Sequence, residues 1–253
     1  MFRPDLPPGE RLGHSNLLND SVLAACKQHD DALRPMAYPP AEDPEAATTI
    51  AEKLDARWAG VVNGAELSGR SYADSDYHPL WRALQRGDLP IFIHPGSTPD
   101  ARLDPFYLSN LLGNLVETTV VAAQLIFGGV LHDFPELKFI LAHGGGALAA
   151  LVGRWQKGVA TKRSGVSELP PPPPDAARRF HVASLVHSAA YGEMPLRMFG
   201  AEHILLGSDW PFPMGADDPD ADLGAFAPEV VEQIRNLNAN RVFGARLSWP
   251  RES

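Results

Sequence analysis

Three apolar runs end on side chains that can bind a metal or move a proton. IFIHPG carries His94, FILAHGGG carries His143 and ILLGSDWPF carries Asp209. A buried, unpaired carboxylate is costly, so one that closes an apolar run is normally paired, protonated or metal-bound. The plainer role for Asp209 is to cap the turn that follows. Neutral imidazole and carboxylate together suit zinc, with other divalent cations possible. Such a cation acts as a Lewis acid and lowers the pKa of its water to ~7.

Gly144, Gly145 and Gly146 follow His143 and open a helix, whose N-terminus disfavours a nearby positive charge. That placement would keep His143 neutral and ready to accept a proton. A tight strand-to-helix turn would use the same glycines. Arg154, in LVGRW, could clamp a substrate carboxylate in bidentate fashion or form a surface ion pair. Trp210 could line a pocket or simply pack. His187, in SLVHSAA, is a candidate for the rim or an ordinary loop histidine.

These residues need a frame that gathers them. Short apolar runs at 34–38, 59–63, 89–94, 138–143, 180–186 and 204–207 predict strands. Helical patterns separate them, at 43–56 (with Asp43 and Pro44 as cap and first position), 76–86, 147–160 and 228–240. Strands alternating with helices indicate βαβ units and a parallel sheet. In a parallel barrel the ends of different strands meet at one mouth, which would bring His94, His143 and Asp209 together. Residues 109–133 form a long apolar helical region, bent at Gly128-Gly129, with Asn110, Asn114, Glu117 and Thr118 near one face. It is too apolar for a solvent-facing helix and points to a subunit contact. Pro170 to Pro174 predicts an extended loop.

The 253 residues carry a formal net charge of -9, unlike the basic footprint of a nucleic-acid backbone binder. The single cysteine, Cys26, excludes an internal disulfide and is expected as a free core thiol. No apolar run reaches the roughly 18 residues of a membrane span, and the N-terminus lacks a signal-peptide core. A cytoplasmic protein without a membrane partner is the expectation. There is no G-x-S-x-G elbow, no Walker loop and no dinucleotide glycine fingerprint.

The stretch ETTVVAAQLIFGGVLHDFPELKFILAHGGGALAALVGRW, with HPG before it and SLVH and ILLGSDWPFPMG after it, resembles the amidohydrolase-related family. It is most similar to the aminocarboxymuconate-semialdehyde decarboxylase branch, from about residue 17 to the C-terminus. The resemblance implies a single-domain, TIM-type (β/α)8 metal-dependent hydrolase barrel. It implies that His94 and Asp209 bind zinc, and that His143 is the acid–base residue acting on metal-activated water. Asp209 would also be catalytic, Arg154 would bind the substrate carboxylate and Trp210 would line the pocket. The implied reaction is decarboxylation of an unsaturated or aromatic acid, with hydrolysis as the alternative within the superfamily. A homodimer is implied as well.

The chain departs from the family pattern in three places. No His-x-His occurs, and the first histidine, His14, stands alone in what reads as a polar loop. Ala183 stands where relatives have Asp, and Gly96 where many have Trp. About six βα units are legible where a closed barrel needs eight. The expectation is therefore a barrel lacking its first two units. A non-catalytic remnant with an incomplete metal site is the alternative from a different class.

Overall fold

The computed structural model describes residue 3 and residues 6–96, 98–166, 171–224 and 226–250. The chain opens with α1 (Pro8–Lys27), β1 (Met36–Ala37), α2 (Pro44–Ala51), β2 (Gly60–Gly64), α3 (His78–Arg86) and β3 (Ile91–His94). After a π-turn at Ser109–Gly113 come α4 (Asn114–Phe127), α5 (Val130–Asp133), β4 (Phe139–Leu141) and α6 (Leu148–Ala160). Then follow α7 (Pro173–Ala177), β5 (His181–Ala183), α8 (Ala189–Phe199), β6 (Ile204–Leu205), α9 (Pro228–Glu232) and α10 (Asn238–Phe243). A second π-turn, Gln233–Leu237, joins the last two helices.

All six expected strands form, and all pair in parallel in chain order, β1 to β6. Strand alternation sorts their side chains onto two faces. Ile91 and Ile93 are fully buried under the helices, whereas Phe92 and His94 face the concave side. Under the helices Trp81, Phe139 and Phe180 meet edge to face in the main core. The local signals behave as expected: Asp43 accepts a hydrogen bond from the Ala46 amide at 3.1 Å, and Pro44 fills the first turn of α2.

The sheet has two edges, and the C-terminal segment bridges them. Ala239, Val242 and Phe243 of α10 pack on Phe92, Ile140 and Leu205 from the concave side. The Leu206 amide of the β6 edge donates to the Ile234 carbonyl of the π-turn at 3.3 Å. Beyond α10, Arg34, just before β1, donates to the Leu247 carbonyl, and Trp249 donates to the Leu33 carbonyl. An unpaired strand edge invites association, and this segment covers it.

Several expectations are corrected. His14 lies on α1, not in a loop, and Cys26 is half-buried on the same helix, not in the core. The helix predicted to residue 56 ends at Ala51, because Asp55 draws the Arg57 amide and guanidinium into a tight turn. Pro173 and Pro174 start a helix instead of extending a loop, since the first helical turn needs no amide donor from them; Pro170 lies outside the described residues. The 105–127 region is long and apolar enough to cross a membrane by composition, with a mean hydropathy of 1.3. Its Val121, Ala122 and Leu125 are fully buried in the main hydrophobic core, as in the core helix of an α/β fold.

Candidate active site

His94 is the last residue of β3, His143 follows β4 and Asp209 follows β6. Parallel strands in register place their C-terminal ends side by side, so these side chains converge. His94 Nε2 lies 3.0 Å from Asp209 Oδ1, and His143 Nε2 lies 3.8 Å from Asp209 Oδ2. The two imidazole rings are 5.2 Å apart. One donor atom from each residue lies within 4.8 Å of the others, a spacing that a single cation could span. Two imidazole nitrogens and a carboxylate oxygen fit a divalent metal.

The backbone is shaped to aim these groups. His143 and Asp209 adopt φ of 51° and 55°, the left-handed region that non-glycine residues rarely enter. Such outliers persist only where surrounding contacts enforce them. After His143, Gly146 sits so close to α4 that a Cβ would strike the Leu115 carbonyl and lie 2.7 Å from Thr119 Oγ1. Thr119 Oγ1 accepts the Ala147 amide at 2.8 Å, and Tyr191 donates to the Gly146 carbonyl at 2.5 Å. The glycines therefore serve a close approach as well as a turn.

Burial, reinforced by the neighbouring His94, pushes the His143 pKa down to about 4, with Asp209 pulling the other way. The imidazole is thus neutral at pH 7. Among the described residues its buried Nδ1 has no hydrogen-bond partner. A buried polar atom left open in this way marks a place for a bound group.

Two cavities meet at the His143–Asp209 pair. One, of about 470 Å³, is lined by concave-face residues such as Val62, Phe92, Ile140 and Leu205. Val62, Phe92 and Ile140 are register partners two residues below His94, where an eight-stranded barrel would be filled by side chains. The other, of about 420 Å³, lies among the loops and includes Asn110, Asn114, His187 and Ser188. Trp210 lines the first cavity but is 81% exposed, and Phe212 stacks on His94 at 6.4 Å. Arg154 is exposed on α6 and lines neither cavity. Arg235, which no sequence signal singled out, lines the first and pairs with Asp220.

The amidohydrolase family model matches residues 11–245. The chain belongs to the amidohydrolase family. It is 26% identical over 253 residues to the 2-amino-3-carboxymuconate-6-semialdehyde decarboxylase of Dictyostelium discoideum, covering 98% of this chain and 69% of that protein. It is 29% identical over 216 residues to the gamma-resorcylate decarboxylase of Rhizobium sp. (strain MTP-10005), covering 77% of this chain and 64% of that one. The fold matches the 5-carboxyvanillate decarboxylase of Novosphingobium aromaticivorans, solved with bound manganese, with a TM-score of 0.82 and 23% identity. That match covers 91% of this chain and 70% of the other. The chain thus spans about two thirds of the length of these amidohydrolase relatives.

Proposed function

We propose that this amidohydrolase is a metal-dependent carboxy-lyase acting on an unsaturated or aromatic carboxylic acid. The convergence of His94, His143 and Asp209 at the C-terminal ends of adjacent strands carries the proposal. The decarboxylase names of its relatives support the reaction class. His94 and Asp209 would hold a divalent cation, expected as zinc, with the manganese of the 5-carboxyvanillate decarboxylase as precedent for another ion. When bound, it supplies a Lewis acid that anchors substrate oxygens.

His143 carries the proton. Neutral at pH 7, it takes up a proton from solvent water and delivers that proton to the carbon that bears the carboxylate, forming a C–H bond. The C–C bond then breaks, its electron pair restores the unsaturated system and CO2 leaves. Phe212 and Phe92, close to the His94 ring, give the substrate an apolar wall and exclude water. The exposed stripe of Leu112 in the π-turn and Val116 and Val120 on α4, spaced one helical turn apart, supports the expected homodimer.

A second reading has its own observation. If His143 is kept for acid–base work, only His94 and Asp209 remain in the three-residue group, and catalytic zinc commonly takes three protein ligands. A non-catalytic remnant would then bind metal poorly. Metal analysis and CO2 release from 2,6-dihydroxybenzoate decide between them. We expect one metal per chain and CO2 release in the parent, with both lost in Asp209→Asn. The drop in metal affinity should exceed the roughly 10–100-fold typical of losing a ligand's supporting partner. A product that keeps its carboxylate would support the hydrolase alternative, and a chain that holds no metal would support the remnant.

A further inference from the structure

The loop-side cavity contains polar groups that the proposed chemistry leaves unused. Asn110 belongs to the π-turn Ser109–Gly113, and Asn114 opens α4 one turn later, so both amides fall on one face. Both are half-buried and both line the cavity. Neither side-chain amide has a hydrogen-bond partner among the described residues; at Asn114 it is the backbone carbonyl that accepts from Thr118. The other polar groups of this wall are committed. Tyr191 donates to the Gly146 carbonyl, and Ser188 caps α8 by accepting the Tyr191 amide at 3.2 Å.

His187 lines the same cavity, and its φ of 55° places a bulky residue in left-handed backbone between β5 and α8. Leu111, Leu115, Val186 and Met214 complete an otherwise apolar lining. Half-buried amides in apolar surroundings are unfavourable unless something hydrogen-bonds to them. π-turns also occur disproportionately at functional sites. The cavity shares His143 and Asp209 with the concave-side cavity, but His94 lines only the latter.

We infer that Asn110, Asn114 and His187 form a polar subsite, across the His143–Asp209 pair from His94, that selects substrates by a hydrogen-bonding substituent. The inference rests on the carboxy-lyase reading. A substrate ring beside His143 would extend one edge toward these residues. Each amide both donates and accepts, so a hydroxyl or a second carboxylate on that edge is satisfied, whereas a bare C–H leaves the amides unpaired. These are specificity residues, and the proton transfer itself stays with His143.

The test measures binding to the metal-loaded full chain by calorimetry, with two probes. 2,6-Dihydroxybenzoate carries hydroxyls beside its carboxylate, and benzoate carries none. The parent protein is expected to prefer the dihydroxy probe. Asn110→Leu and Asn114→Leu should each lower that preference by roughly tenfold, the worth of one hydrogen bond with its partner left unsatisfied. Benzoate affinity should stay unchanged, and Asn114→Gln should restore part of the preference. His187→Phe should act in the same direction. Equal weakening of both probes would mean a structural role and overturn the subsite, as would variants that bind like the parent. A parent protein that binds neither probe would overturn the carboxy-lyase reading, and the subsite with it.

Discussion

His181 and His203 offer a quantitative test of the packing at the end of the sheet remote from the site. His181 begins β5 and His203 immediately precedes the neighbouring strand β6, and their rings stack 4.7 Å apart at 26°. Burial, then the His203 ring and Lys138, push the His181 pKa down from an ordinary 6.5 to about 4. His203 is lowered too, by burial, with Glu202 opposing. The folded value lies below the unfolded one, so the unfolded chain takes up the proton first. Stability is therefore full above 6.5, falls as the pH drops toward 4 and levels off below. With these values, going from pH 7 to pH 5 costs roughly 2 kcal/mol through this single group. His181→Phe keeps a flat ring on His203 and removes the titration. Urea unfolding of both proteins at the two pH values measures the difference. The variant should lose about 2 kcal/mol less than the parent on acidification. His143 also titrates in this range, but it is present in both proteins and cancels. Equal acid losses in parent and variant would refute the argument.

Two further substitutions test the scaffold. Arg246 donates to the carbonyls of Trp58, Asp55 and Gly87 at 2.8, 3.2 and 2.5 Å, tying the C-terminal segment to the starts of β2 and β3. Arg246→Met leaves these acceptors without their donor and should destabilise the fold by about 3 kcal/mol, read from the urea midpoint. Gly146 has φ of 62° and its missing Cβ faces the Leu115 carbonyl. Gly146→Ala should cost about 3 kcal/mol and weaken metal binding, because the turn that aims His143 must shift; unchanged metal affinity would show that the turn does not position it.

The six strands were legible because each is a short apolar run covered by helices, a property of neighbouring residues in the chain. Their bounds were not: the run at 34–38 forms only Met36–Ala37, since pairing partners decide where a ladder stops. Helix α1 escaped notice because its apolar residues are spread around all faces. It is held instead by contacts far along the chain, such as Asn19, which exchanges two hydrogen bonds with the Tyr38 backbone. The bridge from β6 to β1 was equally hidden, because Arg34, Arg246 and Trp249 bind backbone carbonyls, which every residue carries.

By itself the amino-acid sequence determined which residue types close the strands, and hence that His94, His143 and Asp209 share one rim. Strand alternation is a local rule, and the alternation of strands with helices implies a parallel sheet whose strand ends meet at one rim. Tertiary structure alone decided the distances among those donors, set Arg154 outside both cavities and gathered Asn110, Asn114 and His187 around a second one. Those outcomes depend on how helices and loops pack over the strand ends. That packing is the sum of many contacts between residues distant in the chain, and no short stretch of sequence records it.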